Sequence, residues 1–127
     1  MVSVNKKRPV NLDLTTIKLP IMAIASILHR MSGIILFLLF PLALCLLHCS
    51  LESQVSFSNM QLLLSKPLYK FILWVFLSAL CYHILAGIRH LIMDIGIGEH
   101  LEQGRFTARL VVAMAFILFI LLGIWLW

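Results

Sequence analysis

Three uncharged, strongly apolar runs set the limits on what this chain can fold into: Met31 to Leu51, Phe71 to Ile88, and Leu110 to Trp127. Each is about long enough to cross a ~30 Å hydrocarbon core as a helix rising ~1.5 Å per residue. Of 127 residues, 62% are hydrophobic and 12% charged, whereas a soluble domain uses about 45–50% apolar residues. The expected fold is therefore an all-α membrane protein with three transmembrane helices, over about 21–50, 67–93 and 107–127, after a polar segment 1–19. It reads as a single membrane domain that belongs to a larger assembly. So little mass remains outside lipid that any soluble chemistry must come from partner chains.

Charge placement orients the chain. Lys6, Lys7, Arg8, Lys18 and Arg30 precede the first span, and Arg89, Arg105 and Arg109 flank the second connection. Only Lys66 and Lys70 flank the first connection. The positive-inside rule then puts the N-terminus and second loop on the inner side. These basic groups are too few and too close to apolar runs for a nucleic-acid surface. Residues 1–19 show neither an apolar stretch directly after the basic cluster nor a small-residue cleavage pattern. Asp13 argues against a transit peptide. The expected home is the bacterial inner (cytoplasmic) membrane with a cytoplasmic N-terminus, ahead of the inner mitochondrial membrane. Cys45, Cys49 and Cys81 all lie in spans without metal spacing, and read as buried small apolar residues.

Along the second span, His83, Gly87, His90 and Asp94 recur at steps of four, three and four, which places them on one stripe of a helix. An imidazole at membrane depth is costly and usually faces protein, water or a cofactor. Neutral imidazole can ligate haem iron, and a glycine one turn away admits a flat macrocycle. His90, with Arg30, would approach the propionates. The same histidine also fits a helix–helix hydrogen bond. In the first span Ser26, His29, Arg30 and Gly33 share one side, where Arg30 either joins a polar pocket at the interface or snorkels to lipid phosphates.

Other features are structural. Pro20 can open the first helix, and Pro41 should kink it. Residues 50–66 read as an outer loop with a short surface segment, residues 94–109 as a polar, turn-rich inner loop, and Trp125 with Trp127 as an interfacial anchor. Depths follow from the run centres, near Pro41 and Leu80. At ~1.5 Å per residue His83 lies roughly 4–5 Å inward of the midplane, His29 roughly 18 Å inward and His48 roughly 10 Å outward. Both miss the level of His83 by about 14 Å for straight helices. A bis-histidine haem is thus not expected within one copy, and the opposite ligand is expected from another subunit.

Two stretches carry a family resemblance. RPVNLDLTTIKLPIMAIASILHRMSG, Arg8 to Gly33, has an RP start and an S-x-x-H-R-x-S core, and HILAGIRHLIMDIG, His83 to Gly96, holds H-x-x-x-G-x-R-H-x-x-x-D. Together they resemble the cytochrome b membrane-anchor subunit of succinate dehydrogenase, respiratory complex II, over nearly the whole chain. The resemblance implies a subunit of a four-chain enzyme. Its flavoprotein, with FAD, oxidises succinate, and its iron–sulfur subunit passes electrons to the membrane. Two anchor chains hold haem b and help form the ubiquinone site. His83 then matches the axial haem iron ligand, opposed by a histidine of the second anchor chain. Ser26 and Arg30 match the quinone-site serine and arginine. His29 and His90 lie where the propionates and that site are approached, and Asp94 could orient Arg30 or pass protons. The alternatives are the anchor of a quinol:fumarate reductase, a haem-free structural anchor, and a small transporter, which the apolar outer halves of the spans disfavour.

Overall fold

The computed structural model describes residues 19–127. All but the last position of the polar 1–19 segment therefore lies outside the described residues. Four helices follow in order: α1 Ile21–Glu52, α2 Gln54–Leu64, α3 Pro67–Asp94 and α4 Leu101–Leu126. The described residues are helical, as expected, and α1, α3 and α4 are each long and apolar enough to cross a membrane.

Local chemistry places the breaks. Pro20 is extended (φ −66°, ψ 152°) and its carbonyl accepts the amides of Ala23 and Ile24, which starts α1. The helix runs on through Pro41 without ending. Its 32 residues amount to about 48 Å, well beyond a ~30 Å apolar core. Ser53 then swings to φ −160° and caps α2, its Oγ accepting the Ser56 amide at 3.1 Å. Pro67 opens α3, where its missing N–H costs nothing. After Asp94 the chain turns through Gly96 (φ 85°) and Gly98 (φ 81°), a region open to glycine at no steric cost.

The second connection is shorter than the expected polar loop of 94–109. Helix α4 already begins at Leu101, with Glu102 in its first turn complementing the positive end of the helix dipole. Glu102, Gln103 and Arg105 are good helix formers. Their polarity mimicked a loop, but it belongs to the first turns of α4. Gly104 lies within them because a Cβ there would come 2.9 Å from Met22 Cε.

Helix α3 packs against both α1 and α4. The buried apolar positions of the long helices are mostly alanines, Ala25, Ala79, Ala86 and Ala108, which lets backbones approach closely, as membrane helices require. Large side chains such as Phe37 and Leu38 point away from the bundle. Cys49 and Cys81 are half-buried, but Cys45 is exposed rather than buried as expected. Cys45 shares one outward stripe of α1 with Leu38, Pro41, Leu42 and His48, all exposed. At the α2 end, Trp74 donates to the Phe119 carbonyl (3.0 Å) and meets Trp127 edge-on at 5.9 Å, joining α3 to α4.

Candidate functional site

His83 and His90 of the sequence stripe meet His29 of α1 where α1 and α3 cross. Gly33 on α1 leaves room for the His83 ring: a Cβ there would lie 3.3 Å from His83 Cε1. His83 Nδ1 is 3.0 Å from Ser32 Oγ and 3.3 Å from the His29 carbonyl oxygen. The Ser32 hydroxyl donates to that same carbonyl at 2.8 Å and is buried. One turn along, the His29 ring stacks on His83 with centroids 4.2 Å apart and planes 21° apart. His90 lies 5.2 Å from His29, tilted by 47°. Three imidazoles thus form a continuous column between the helices.

His29 Nε2 is buried and, among the described residues, has no hydrogen-bond partner. It is also the atom facing Gly87, 3.6 Å from where a Cβ would stand. Buried polar atoms without partners are rare and point to a group that completes them. Among the described residues no three His, Cys, Asp or Glu side chains gather to hold a bare metal ion. What the column offers is single imidazoles, the donor set of a prosthetic group's axial ligand rather than of a free cation.

One expectation is overturned. His29 does not lie about 14 Å from the level of His83; the two rings are in contact. The depth argument centred α1 on its uncharged run. The structure sets the register of α1 on α3 by the fit of Gly33 and Ser32 against His83, so the two run centres do not share one plane. The two rings stack face to face with centroids 4.2 Å apart, which leaves no gap between them for a flat macrocycle. His48 is exposed near the far end of α1, away from the column.

Ser26 and Arg30 lie one helical turn apart on α1, half-buried and exposed respectively. Beside them, Tyr82 donates its hydroxyl proton to the Ala25 carbonyl at 2.8 Å, pinning α3 to this part of α1. Asp94 is the last residue of α3 and is exposed.

Arg89 is the residue that sequence reasoning misplaced. Counted there as an interfacial cation, it is 7% exposed, with Nε donating to Thr107 Oγ1 (3.1 Å) and an Nη donating to the Gly104 carbonyl (3.1 Å). Its neighbour His90 faces α1. A one-residue step rotates ~100° around a helix, which carries Arg89 to α4 instead. That step was the available signal.

The family model described as succinate dehydrogenase/fumarate reductase transmembrane subunit matches residues 4–122. The chain belongs to this family. Among its relatives, a succinate dehydrogenase cytochrome b556 subunit from Coxiella burnetii is 49% identical over 124 residues, covering 97% of this chain and 99% of the relative. The Paracoccus denitrificans cytochrome b556 subunit is 33% identical over 122 residues, 95% and 94% of the two chains. A mouse mitochondrial cytochrome b560 subunit is 35% identical over 114 residues, 87% of this chain and 67% of the relative. As a member of the succinate dehydrogenase/fumarate reductase transmembrane family, the chain is a multi-pass membrane subunit of an oxidoreductase complex. The imidazole column and the Ser26–Arg30 turn both lie inside the matched stretch.

Proposed function

We propose that this chain is the haem b-binding membrane anchor of a succinate:ubiquinone oxidoreductase. In this reading it tethers the flavoprotein and iron–sulfur subunits and forms part of the ubiquinone-reduction site. The observation that carries the reading is the orphaned, buried His29 Nε2 beside His83, with glycines against both rings. These residues fit a haem: His83 as the axial iron ligand, and His29 and His90, with Arg30 near the surface, as partners for the propionates. A histidine of the second anchor subunit would complete the haem's hold, since His29 is stacked against His83. Haem, when bound, supplies one-electron redox chemistry.

Quinone reduction adds electrons and then protons at carbonyl oxygens. Ser26 has a hydroxyl able to donate to one such oxygen. Arg30 is always charged and so cannot act as an acid, but its guanidinium stabilises negative charge developing on the ring. Asp94, at the end of the His83 stripe, orients Arg30 or passes protons towards the site. The turn carrying Ser26 and Arg30 is held to α3 by Tyr82, which supports a shared pocket next to the haem.

The proposed setting is a bacterial inner membrane with a cytoplasmic N-terminus. The buried Arg89 no longer counts as a loop charge, yet Arg105 and Arg109 on one side still match Lys66 and Lys70 on the other, and the N-terminal basic cluster tips the balance inward. The family description also covers fumarate reductases, but the relatives given above are named as succinate dehydrogenase subunits.

The test is a gentle detergent purification through a tag on this chain, with a reduced-minus-oxidised spectrum. A cytochrome b spectrum that His83→Ala changes, together with co-purifying flavoprotein and iron–sulfur subunits, is expected. A colourless complex would leave a haem-free anchor instead.

A further inference from the structure

Ser32 closes the S-x-x-H-R-x-S core, yet nothing in the reading above uses it. It is 5% exposed, one of only two buried polar or charged side chains among the described residues. A serine facing solvent in a helix would need no explanation. This one sits against the Nδ1 of the one imidazole proposed to hold iron.

The hydrogen-bond directions follow from the donor inventory. The Ser32 hydroxyl has one proton and two lone pairs. That proton is directed at the His29 carbonyl, 2.8 Å away. A lone pair is therefore what Ser32 Oγ presents to His83 Nδ1 at 3.0 Å. The second neighbour of Nδ1, the His29 carbonyl at 3.3 Å, is also purely an acceptor. Two acceptors facing one ring nitrogen require that nitrogen to carry the proton. The neutral ring then keeps its lone pair on Nε2, the nitrogen left to bind a metal.

We infer that Ser32 is a positioning residue that fixes His83 as the Nδ1–H tautomer, leaves the ring lone pair on Nε2, and raises the donor strength of the ring toward haem iron. This rests on the proposal that His83 is the axial ligand. A ligating histidine usually donates its other N–H to a carboxylate, a carbonyl or water, which fixes the ring and raises its basicity. Here a serine does so, braced by a main-chain carbonyl one turn away. Because Ser32 and His29 are both on α1 and His83 is on α3, the same contact also ties ligand orientation to the packing of the two helices.

The experiment uses the whole detergent-solubilised complex with Ser32→Ala and Ser32→Thr, compared with His83→Ala. Ser32→Ala removes the hydroxyl without enlarging the side chain, so the helices still pack. The haem midpoint potential should rise, because a weaker donor stabilises the oxidised iron less, and the low-spin EPR signal should shift. Haem retention should fall by about 10-fold or more, the usual effect of losing such a partner. Ser32→Thr keeps a hydroxyl that can bond the carbonyl three residues back and should restore the potential. An unchanged potential and EPR signal in Ser32→Ala would overturn the role of Ser32. If His83→Ala leaves the haem signals unaltered, the ligand assignment itself fails, which separates the two. Should Ser32→Ala not assemble, hyperfine spectroscopy of the remote imidazole nitrogen in the unmodified complex decides. A protonated, hydrogen-bonded Nδ1 is expected, and a nitrogen without that proton would overturn the inference.

Discussion

Gly33→Ala tests whether the contact between α1 and His83 is as close as described. The new Cβ would lie 3.3 Å from His83 Cε1 and 3.7 Å from Nδ1, so the ring must retreat by a few tenths of an ångström. It cannot do so freely, because Nδ1 is held at 3.0 Å by Ser32 Oγ and 3.3 Å by the His29 carbonyl. A retreat of about 0.3 Å weakens the first bond and carries the second to about 3.6 Å, where it no longer counts as one. The loss is about 0.5–1.5 kcal/mol. Replacing a mid-helix glycine by alanine returns about 0.5–1 kcal/mol. The two nearly cancel, so thermal stability of the purified complex should change little. The change should appear in the haem instead, as a shifted midpoint potential and an altered low-spin EPR signal, read in a redox titration. Gly123→Ala is the control, because its Cβ meets Trp74 Nε1 at an ordinary 3.5 Å, far from the imidazole column. A Gly33→Ala complex with higher stability and unaltered haem signals would show that this approach does not constrain the ligand.

Ser26→Ala and Arg30→Ala should each lower quinone reduction sharply while succinate oxidation with an artificial acceptor persists; equal loss of both activities would mean failed assembly. Arg89→Lys replaces a fork by a single ammonium that cannot reach Thr107 and Gly104 in the same geometry. It should cost about 1–3 kcal/mol, seen as a lower melting temperature, and an unchanged value would deny the joint its role. Trp74→Phe keeps the ring against Phe119 but removes the 3.0 Å bond to its carbonyl. The expected loss is about 0.5–1.5 kcal/mol by thermal unfolding, with the haem potential unchanged because the column lies well along α3 from it.

The three spans, the breaks at Pro20, Pro67 and the Gly96–Gly98 turn, and the stripe from His83 to Asp94 were all readable along the chain. Each is a local property: hydropathy over a membrane's thickness, a ring that fixes φ, a positive φ that suits glycine, and a 3.6-residue repeat. What could not be read was anything that depends on how one helix slides past another. Uncharged-run centres placed His29 about 14 Å from the level of His83, nearly half of a ~30 Å apolar core, whereas packing stacks the two rings. A charge tally counted Arg89 among the cations flanking the second connection, whereas α4 buries it. The polar start of α4 looked like loop because charge alone does not distinguish a surface helix from a turn.

Helix register is decided by close contact between small residues and bulky neighbours, Gly33 on His83 and Gly104 on Met22. Those pairs are 50 and more residues apart in the chain, so no local pattern encodes them. The elements and their polar stripes are thus written in the order of residues. The meeting of Ser32, His29 and His83 exists only once α1 and α3 are packed, because tenths of an ångström at a glycine determine which polar atoms come within hydrogen-bonding reach.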